Sequence, residues 1–559
     1  MTDPLFTTIQ QHLDTADQPH RLRDLFAQTL NWGRPQGRGQ TVRVGAPVQQ
    51  TLVAEPVAQL GGIPVFQINW PAATVPNVTQ RRAVYHALAQ VAIEHLLCYV
   101  TQNGRQVALV WARDRGGKRV ELRTLPYEQG TSARTTVERM AALSFAFDEF
   151  DMFGAIAPTR VLDRLNAAFD VEMVTKQFFA TYRQCFEQVE AAVTGISSPA
   201  ARRLFVQKLF NRLMFIVFLE RKGWLEYSGR REYLRAIWQA HQQERLRDPD
   251  AVFYSSRLKV LFFAGLNTPN EVNVVDIRRN HVLEERIGRV PYLNGGLFEE
   301  DADDRDDAIS VPDAVFAPIL TDLFYRFNFT VSESTPFDIE VAVDPEMLGK
   351  VFEELVTGRH ESGSYYTPRP IVAFMCREGL KGYLQQRVPH ETAAALAAFV
   401  DERDASDLHD PEAVLLALKQ VRTCDPACGS GAYLLGMLQE LLALRSSLFA
   451  TRRLDPVTAY QRKLEIIQHT IYGVDLDPFA VNIARLRLWL SLVVEFEGSD
   501  PPPLPNLDYK VEVGDSLVAP DPSGGLQTDM FRRQQITELF ALKEAYLRSH
   551  GSAKLGLRT

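Results

Sequence analysis

Cysteine is scarce in this chain: Cys98, Cys185, Cys376, Cys424 and Cys428 are the five among 559 residues, and none forms a CxxC pair. That excludes a disulfide framework and suggests no zinc site, so reduced thiols in a cytoplasmic setting are expected. Long apolar runs are also missing. The one that stands out, Leu213 to Leu219, is far short of the about 20 residues a bilayer requires, and the polar N-terminus carries no signal peptide; a soluble intracellular protein is the reading. Positive charge is not in excess either. At a net −8 and pI near 5.9, the chain could bind nucleic acid only through a local basic groove. No internal repeat or low-complexity segment is present.

The length is too great for one core and implies several domains. Composition places a mixed α/β unit over 1–150, a helical connector over 151–343 and a further α/β region over 344–559. In the first, Val65 to Trp70 reads as a strand and Gln80 to Leu97 as a helix, on the spacing of Val84, Leu88, Val91, Ile93 and Leu96. Gln106 to Trp111 and Val120 to Thr124 flank Arg115-Gly-Gly-Lys118, a hairpin signal. Glu121-Leu-Arg123 is close to the carboxylate-x-lysine pair of a metal nuclease, but arginine replaces lysine and no upstream Asp partner stands out. An exposed edge strand with alternating charge is the preferred reading. Val171 to Tyr227 is helical, and Ala201 to Trp224 mixes a broad apolar face with Arg202, Arg203, Lys208 and Arg212. A helix buried between neighbours, its basic residues reaching out to water, is expected there. Pro291 to Phe298 reads as a turn. Asp301 to Asp307 lacks the Gly and terminal Glu of an EF-hand and reads as a solvated loop.

The chemistry concentrates in four segments after residue 344. Ser364-Tyr-Tyr-Thr-Pro-Arg-Pro370 precedes a helix for which Thr367 is a natural N-cap and Pro368 the first residue, a start able to hold an anionic group. Asp425-Pro-Ala-Cys-Gly-Ser-Gly431 is a small-residue turn running into an apolar helix. Gly429 and Gly431 remove the Cβ atoms that would keep a ligand off the backbone, and the helix directs free N–H groups and its positive dipole end there. Ile471 to Asp475 reads as a buried strand ending in an acid, with Asp477 and Pro478 opening a helix through Leu492. An acid at the tip of the second strand of a doubly wound sheet can accept hydrogen bonds from ribose hydroxyls, and Leu476 can cover an adenine ring. Tyr509 to Leu517 reads as a third strand, whose Asp515 can accept a proton of the adenine amino group. The dinucleotide fingerprint is not met: Asp425 and Asp475 are too far apart, and Gly431 is not followed by a third glycine at the right spacing. No Lys-Ser/Thr of a nucleoside triphosphatase follows. S-adenosylmethionine, with ribose and adenine but no phosphates, fits best.

In order and wording, these segments resemble the gamma-class N6-adenine DNA methyltransferases of the large restriction–modification and phage-defence (type IIG-like) family. Gly363 to Pro368, Asp425 to Gly431, Asp475 and Asp515 stand in the family's order. Gln207 to Leu213, Pro291 to Phe298 and Asp344 to Phe352 are similar to its helical segments. The likeness covers most of 170–517. It implies that Thr367 and the 425–431 backbone, including Pro426 and Ala427, hold the methionine moiety, Asp475 the ribose, and Leu476 and Asp515 the adenine. It also implies a partial doubly wound, Rossmann-like sheet in the C-terminal part and double-stranded DNA as partner. The N-terminal unit lies where some relatives carry a nuclease.

One family element is missing. The Asn/Asp-Pro-Pro-aromatic tetrapeptide, which accepts the protons of the exocyclic amine and stacks on the flipped base, should follow the third strand. The only lookalike, Asp500-Pro-Pro-Pro503, precedes that strand, has proline in the aromatic place and reads as a rigid loop. The chain then finishes in a charged helical stretch, Met530 to Ser549. No catalytic residue is assigned, and a truncated or split methyltransferase, inactive unaided and completed by a second chain, is the expectation. The alternative is a noncatalytic cofactor-binding or scaffold subunit of a defence complex.

Overall fold

The structure, a computed structural model, describes residues 3–18, 20–46, 48–113, 121–131, 134–230, 232–268, 283–293, 296–329, 338–340, 349, 367–455, 457–496, 498, 501–518 and isolated positions within 538–545. Arg115 to Lys118, Gly363 to Tyr366, most of Asp344 to Phe352, Asn294, Gly295, Asp500 and nearly all of Met530 to Ser549 lie outside the described residues. Among the described residues two sheets organise the chain, one in each of two compact units: 1–182 with 318–344, and 183–317 with 345–559. These units cut across the stretches read from composition. Residues 318–344 return to the first unit, and 183–317 group with the C-terminal part.

The first unit is a seven-stranded mixed sheet with strands in chain order: β1 (Gln40–Val44), β2 (Gln50–Leu60), β3 (Ile63–Trp70), β4 (Leu96–Thr101), β5 (Gln106–Arg113), β6 (Glu121–Glu128) and β7 (Asp338–Glu340). Pairing is antiparallel except at β3–β4 and β6–β7. A parallel pair needs a crossover, and helix α1 (Val78–Ala89), capped by Asn77, provides it between β3 and β4. The helix expected over Gln80 to Leu97 therefore stops at Ala89. Ile93 is 79% exposed, while Leu96 and Leu97 begin a strand, where the run of Leu, Cys, Tyr and Val suits a pleated, buried surface. β5 and β6 pair with Arg113 opposite Glu121, as the hairpin signal predicts.

Glu121 and Arg123 are not on an exposed edge. β6 lies between β5 and β7, both side chains are buried, and Arg123 Nε donates to Glu121 Oε1 at 2.7 Å and Nη1 to the Phe169 carbonyl at 2.9 Å. A buried charge pair survives because each partner answers the other.

In the second unit, α2 (Val171–Ala192) leads in from the first, and α3 (Pro199–Arg221) starts at Ser198 and Pro199. From Phe205 to Glu220, every residue of α3 except Lys208 is buried. The expectation that its bases reach water fails at Arg212, which turns inward. Its Nε donates to the Leu297 carbonyl at 2.8 Å, and Nη1 and Nη2 grip both oxygens of Asp304 at 2.8 Å. Asp304 is accordingly 1% exposed, so the acidic run is not simply a solvated loop. Asp301 caps the short helix Ala302–Arg305 that delivers Asp304.

The second sheet is parallel, in the order β10–β9–β8: β8 (Thr423–Asp425), β9 (Ile471–Asp475) and β10 (Val511–Val513). Helices α5 (Ala432–Arg452) and α6 (Ala459–His469) connect β8 to β9, and α7 (Pro478–Glu495) connects β9 to β10. Before them, α4 (Arg369–Arg387) packs along α5, where Gly436 leaves room for Val372 and Cys376. Among the described residues, no helix is long and apolar enough to cross a membrane.

Candidate functional site

Three parallel strands end together, and each delivers an acid. β8 ends at Asp425, β9 at Asp475, and Asp515 follows β10 by two residues. Register places Asp475 beside Val513. Backbone bonds then lace the three ends into one cluster. Cys428 N–H donates to the Val474 carbonyl at 2.9 Å, Gly514 N–H to the Asp475 carbonyl at 2.9 Å, and the Ser516 hydroxyl to the Pro426 carbonyl at 2.6 Å.

Within it, the Asp475 carboxylate holds the glycine turn. Its Oδ2 accepts from Gly429 N–H at 2.8 Å and its Oδ1 from Asp477 N–H at 2.9 Å. Asp477 in turn caps α7 through Phe479 N–H at 2.8 Å, as the Asp-Pro pair predicts. Asp425 uses only Oδ1, which accepts from Ala427 N–H at 3.1 Å. Its Oδ2 is buried and, among the described residues, has no hydrogen-bond partner. Burial raises the Asp425 carboxyl above its ordinary value, the Ala427 bond opposes this, and the Asp475 charge adds to it. Asp477 is raised for the same reasons, burial first. The Cys428 thiol is pushed up to about 12 by burial and by Asp425 and Asp475, so it is a neutral packing group and no nucleophile.

The two glycines of the turn have different jobs. Both have positive φ, 52° at Gly429 and 84° at Gly431. A Cβ at Gly429 would meet nothing within 4 Å, whereas one at Gly431 would meet the Ala484 Cβ of α7 at 3.0 Å. Gly429 thus leaves open space beside the Asp475 carboxylate, and Gly431 lets loop and helix close up. Both are expected to face a ligand; the open space lies at Gly429 and the packing against α7 at Gly431. Gly473 in β9 was not foreseen: a Cβ there would come within 2.8 Å of Leu434 and 3.1 Å of the Cys428 sulfur.

Leu476 is 71% exposed, next to Asp475. Asp515 is exposed, its Oδ1 accepting from Leu517 N–H at 2.9 Å. Thr367 is not the helix cap. Pro368 takes that position without a side-chain bond, and Pro370, not Pro368, lies in the first turn. Proline at 368 has the extended backbone that a cap requires, which displaces the start by one residue. Thr367 is half-buried before α4, and none of the bonds of the cluster reaches it.

Sequence reasoning missed Arg487. This residue of α7 is 3% exposed, and its Nη1 donates to the Ser430 carbonyl at 2.7 Å and the Ser430 hydroxyl at 3.2 Å. A Cβ on Gly349 would stand 2.5 Å from its guanidinium carbon. The signal was two arginines, Arg485 and Arg487, inside a largely apolar helix; a buried one must have a partner, and which partner is a tertiary matter.

Residues 403–497 match the family model described as MmeI, DNA-methyltransferase domain. A Methanocaldococcus jannaschii protein proposed to be a type II restriction enzyme and methyltransferase is 32% identical over 342 residues, 58% of this chain and 28% of that protein. Adenine-specific methyltransferase PglX of Streptomyces coelicolor is 27% identical over 135 residues, 24% of this chain and 10% of its own length. DNA methyltransferase A of Bacillus subtilis is 24% identical over 221 residues, 39% of this chain and 22% of its own. The matched stretches span less than a third of each relative. Among solved structures, the type IIL restriction-modification enzyme MmeI in complex with DNA aligns at a TM-score of 0.37 and 18% identity, over 62% of this chain and 40% of that one, a likeness too slight to carry the fold. The family resemblance seen in the motifs is borne out: the family model is of a DNA-methyltransferase domain, and the relatives are named as methyltransferases, one of them also as a restriction enzyme.

Proposed function

We propose that the turn 425–431, Asp475 and the Asp515 loop bind S-adenosylmethionine for methylation of DNA, at adenine N6, in a restriction–modification or phage-defence system. The observation that carries this reading is the convergence of three acid-bearing strand ends on one glycine turn with open space beside Gly429. The residues fit the cofactor by their chemistry. The unpartnered Asp425 oxygen suits an ammonium group such as that of methionine. Asp475, whose oxygens each take one N–H, keeps lone pairs for ribose hydroxyls. Exposed Leu476 offers an apolar surface to adenine, and Asp515 an acceptor for its amine. Thr367 is assigned to the methionine end by family resemblance. When bound, the sulfonium supplies an electrophilic methyl group.

The strand order supports a doubly wound sheet, with ligand at the carboxyl ends as in other open α/β folds. The residues that accept the protons of the target amine are not identified within this sequence. That role, and target recognition, are assigned to a further segment or a second chain, as is methyl transfer itself. DNA as substrate rests on what the relatives' names record, and its double-stranded form on the family resemblance of the motifs.

Isothermal titration of the purified chain with S-adenosylmethionine tests the site. Binding should be seen for the native chain and fall by about 10–100-fold in Asp475→Ala, the worth of hydrogen bonds to a charged group. Equal binding by the two would overturn the assignment.

A further inference from the structure

Between Asp24 and Glu55 the chain has no carboxylate side chain and three arginines, Arg34, Arg38 and Arg43, within a protein of net charge −8. Residues 34–39 form an irregular arm, and Arg43 follows in β1, at the end of the sheet order. All three arginines are exposed. Among the described residues, none has a carboxylate within ion-pair distance, whereas Arg123, Arg212 and Arg445 are each paired.

The arm is held at both ends. At its base, Trp32 is 3% exposed and donates its indole N–H to the Leu143 carbonyl at 3.0 Å, Asn31 donates to the Phe145 carbonyl at 2.7 Å, and Gly33 bridges to Gln59. A Cβ on Gly33 would meet the Gln59 carbonyl oxygen at 2.7 Å. At its far end, Val42 and Val44 face the core, so alternation turns Thr41 and Arg43 outward, opposite Val53 and Thr51 of β2. Gly37, at φ 95° with nothing within 4 Å of a Cβ, and Gly39 keep the intervening backbone bare. Three uncompensated guanidinium groups are thus carried on an anchored, glycine-relieved segment.

We propose that this arm is a docking surface for the phosphate backbone of duplex DNA. Guanidinium groups are matched to phosphate oxygens, and an acid-free stretch avoids repulsion from a polyanion. A single strand is the poorer fit, because unpaired bases need an aromatic platform and the arm's one aromatic, Trp32, is buried. The proposal goes beyond the cofactor site and shares no residue with it.

Fluorescence anisotropy of a labelled duplex, titrated with the full chain across a range of sodium chloride, tests it beside the triple variant Arg34→Gln/Arg38→Gln/Arg43→Gln. The slope of log affinity against log salt should fall by about 2–3, as each lost phosphate contact removes about 0.9. A triple lysine variant should restore most of that slope. Thermal unfolding and S-adenosylmethionine titration should be unchanged, since the side chains are exposed and lie outside the cofactor site. An unchanged slope in the glutamine variant, no affinity of the native chain for duplex, or a larger loss on a single strand than on a duplex would each overturn the proposal. The cofactor titration judges the methyltransferase reading separately.

Discussion

The second unit contains two groups of sheltered carboxylates with opposite surroundings. Asp304 is clasped by Arg212 through two bonds of 2.8 Å and also faces Lys208 at 3.3 Å. Burial alone would raise its carboxyl, but the Arg212 bonds and charge, with Lys208, hold it well below the ordinary range. Asp425, Asp475 and Asp477 gather with backbone N–H groups as their partners and, among the described residues, no Lys or Arg within ion-pair distance. Asp425 and Asp477 are pushed up instead. A buried acid that has its cation is part of the framework. Acids crowded together beside open space are the arrangement on which the proposed cofactor site rests.

The largest effect should come from breaking the satisfied cluster. Arg212→Met leaves Asp304 buried with only Lys208 as its cation and should destabilise by about 3–5 kcal/mol in urea unfolding, and adding Asp304→Leu should recover most of that. If the single variant unfolds like the native chain, Asp304 is not held as described. At the open cluster the large effect should be on ligand instead. Asp475→Asn should weaken S-adenosylmethionine binding by about 10–100-fold with circular dichroism unchanged. Arg487→Met, which frees the Ser430 carbonyl, should weaken the same binding by about tenfold, with partial return in Arg487→Lys, one hydrogen bond to a charged group being worth about 1.5–3 kcal/mol. Loss of fold without any change in affinity would make Arg487 a packing residue only.

The smallest effect concerns pH and carries opposite signs in the two clusters. Asp304, depressed, contributes stability above the ordinary carboxylate value that is lost as pH falls toward its own lower one. Asp425, raised, contributes stability that is complete below the ordinary value and lost as pH rises through its higher one. Asp425→Asn should therefore be neutral in acid and stabilising by about 1 kcal/mol or less at neutral pH, read as the difference between two unfolding series. A variant less stable at neutral pH would mean that the Asp425 charge has a counterion after all.

Local signals were legible where neighbours in sequence decide. The Asp477-Pro478 start of α7, the β3 and β9 strands, the β5–β6 pairing and the Gly429 turn all follow from capping, alternation or positive φ. The helix ending at Leu97 was misread because helical spacing of apolar residues persisted into a strand. Glu121, Arg123, Arg212 and Asp304 were assigned to the surface because a charged residue shows its own cost of burial in the sequence but not its partner.

Sequence by itself determined the glycine turn, the acids at the strand tips and the family they resemble, because each rests on residues a few positions apart. Tertiary structure alone decided that Asp425, Asp475 and the Asp515 loop share one end of a sheet, that Arg487 holds Ser430, and that Gly431 packs on Ala484 while Gly429 stays open. Those facts depend on contacts between residues 46 to 90 positions apart, and a chain shows such contacts only once strand pairing and helix packing have closed the loops between them.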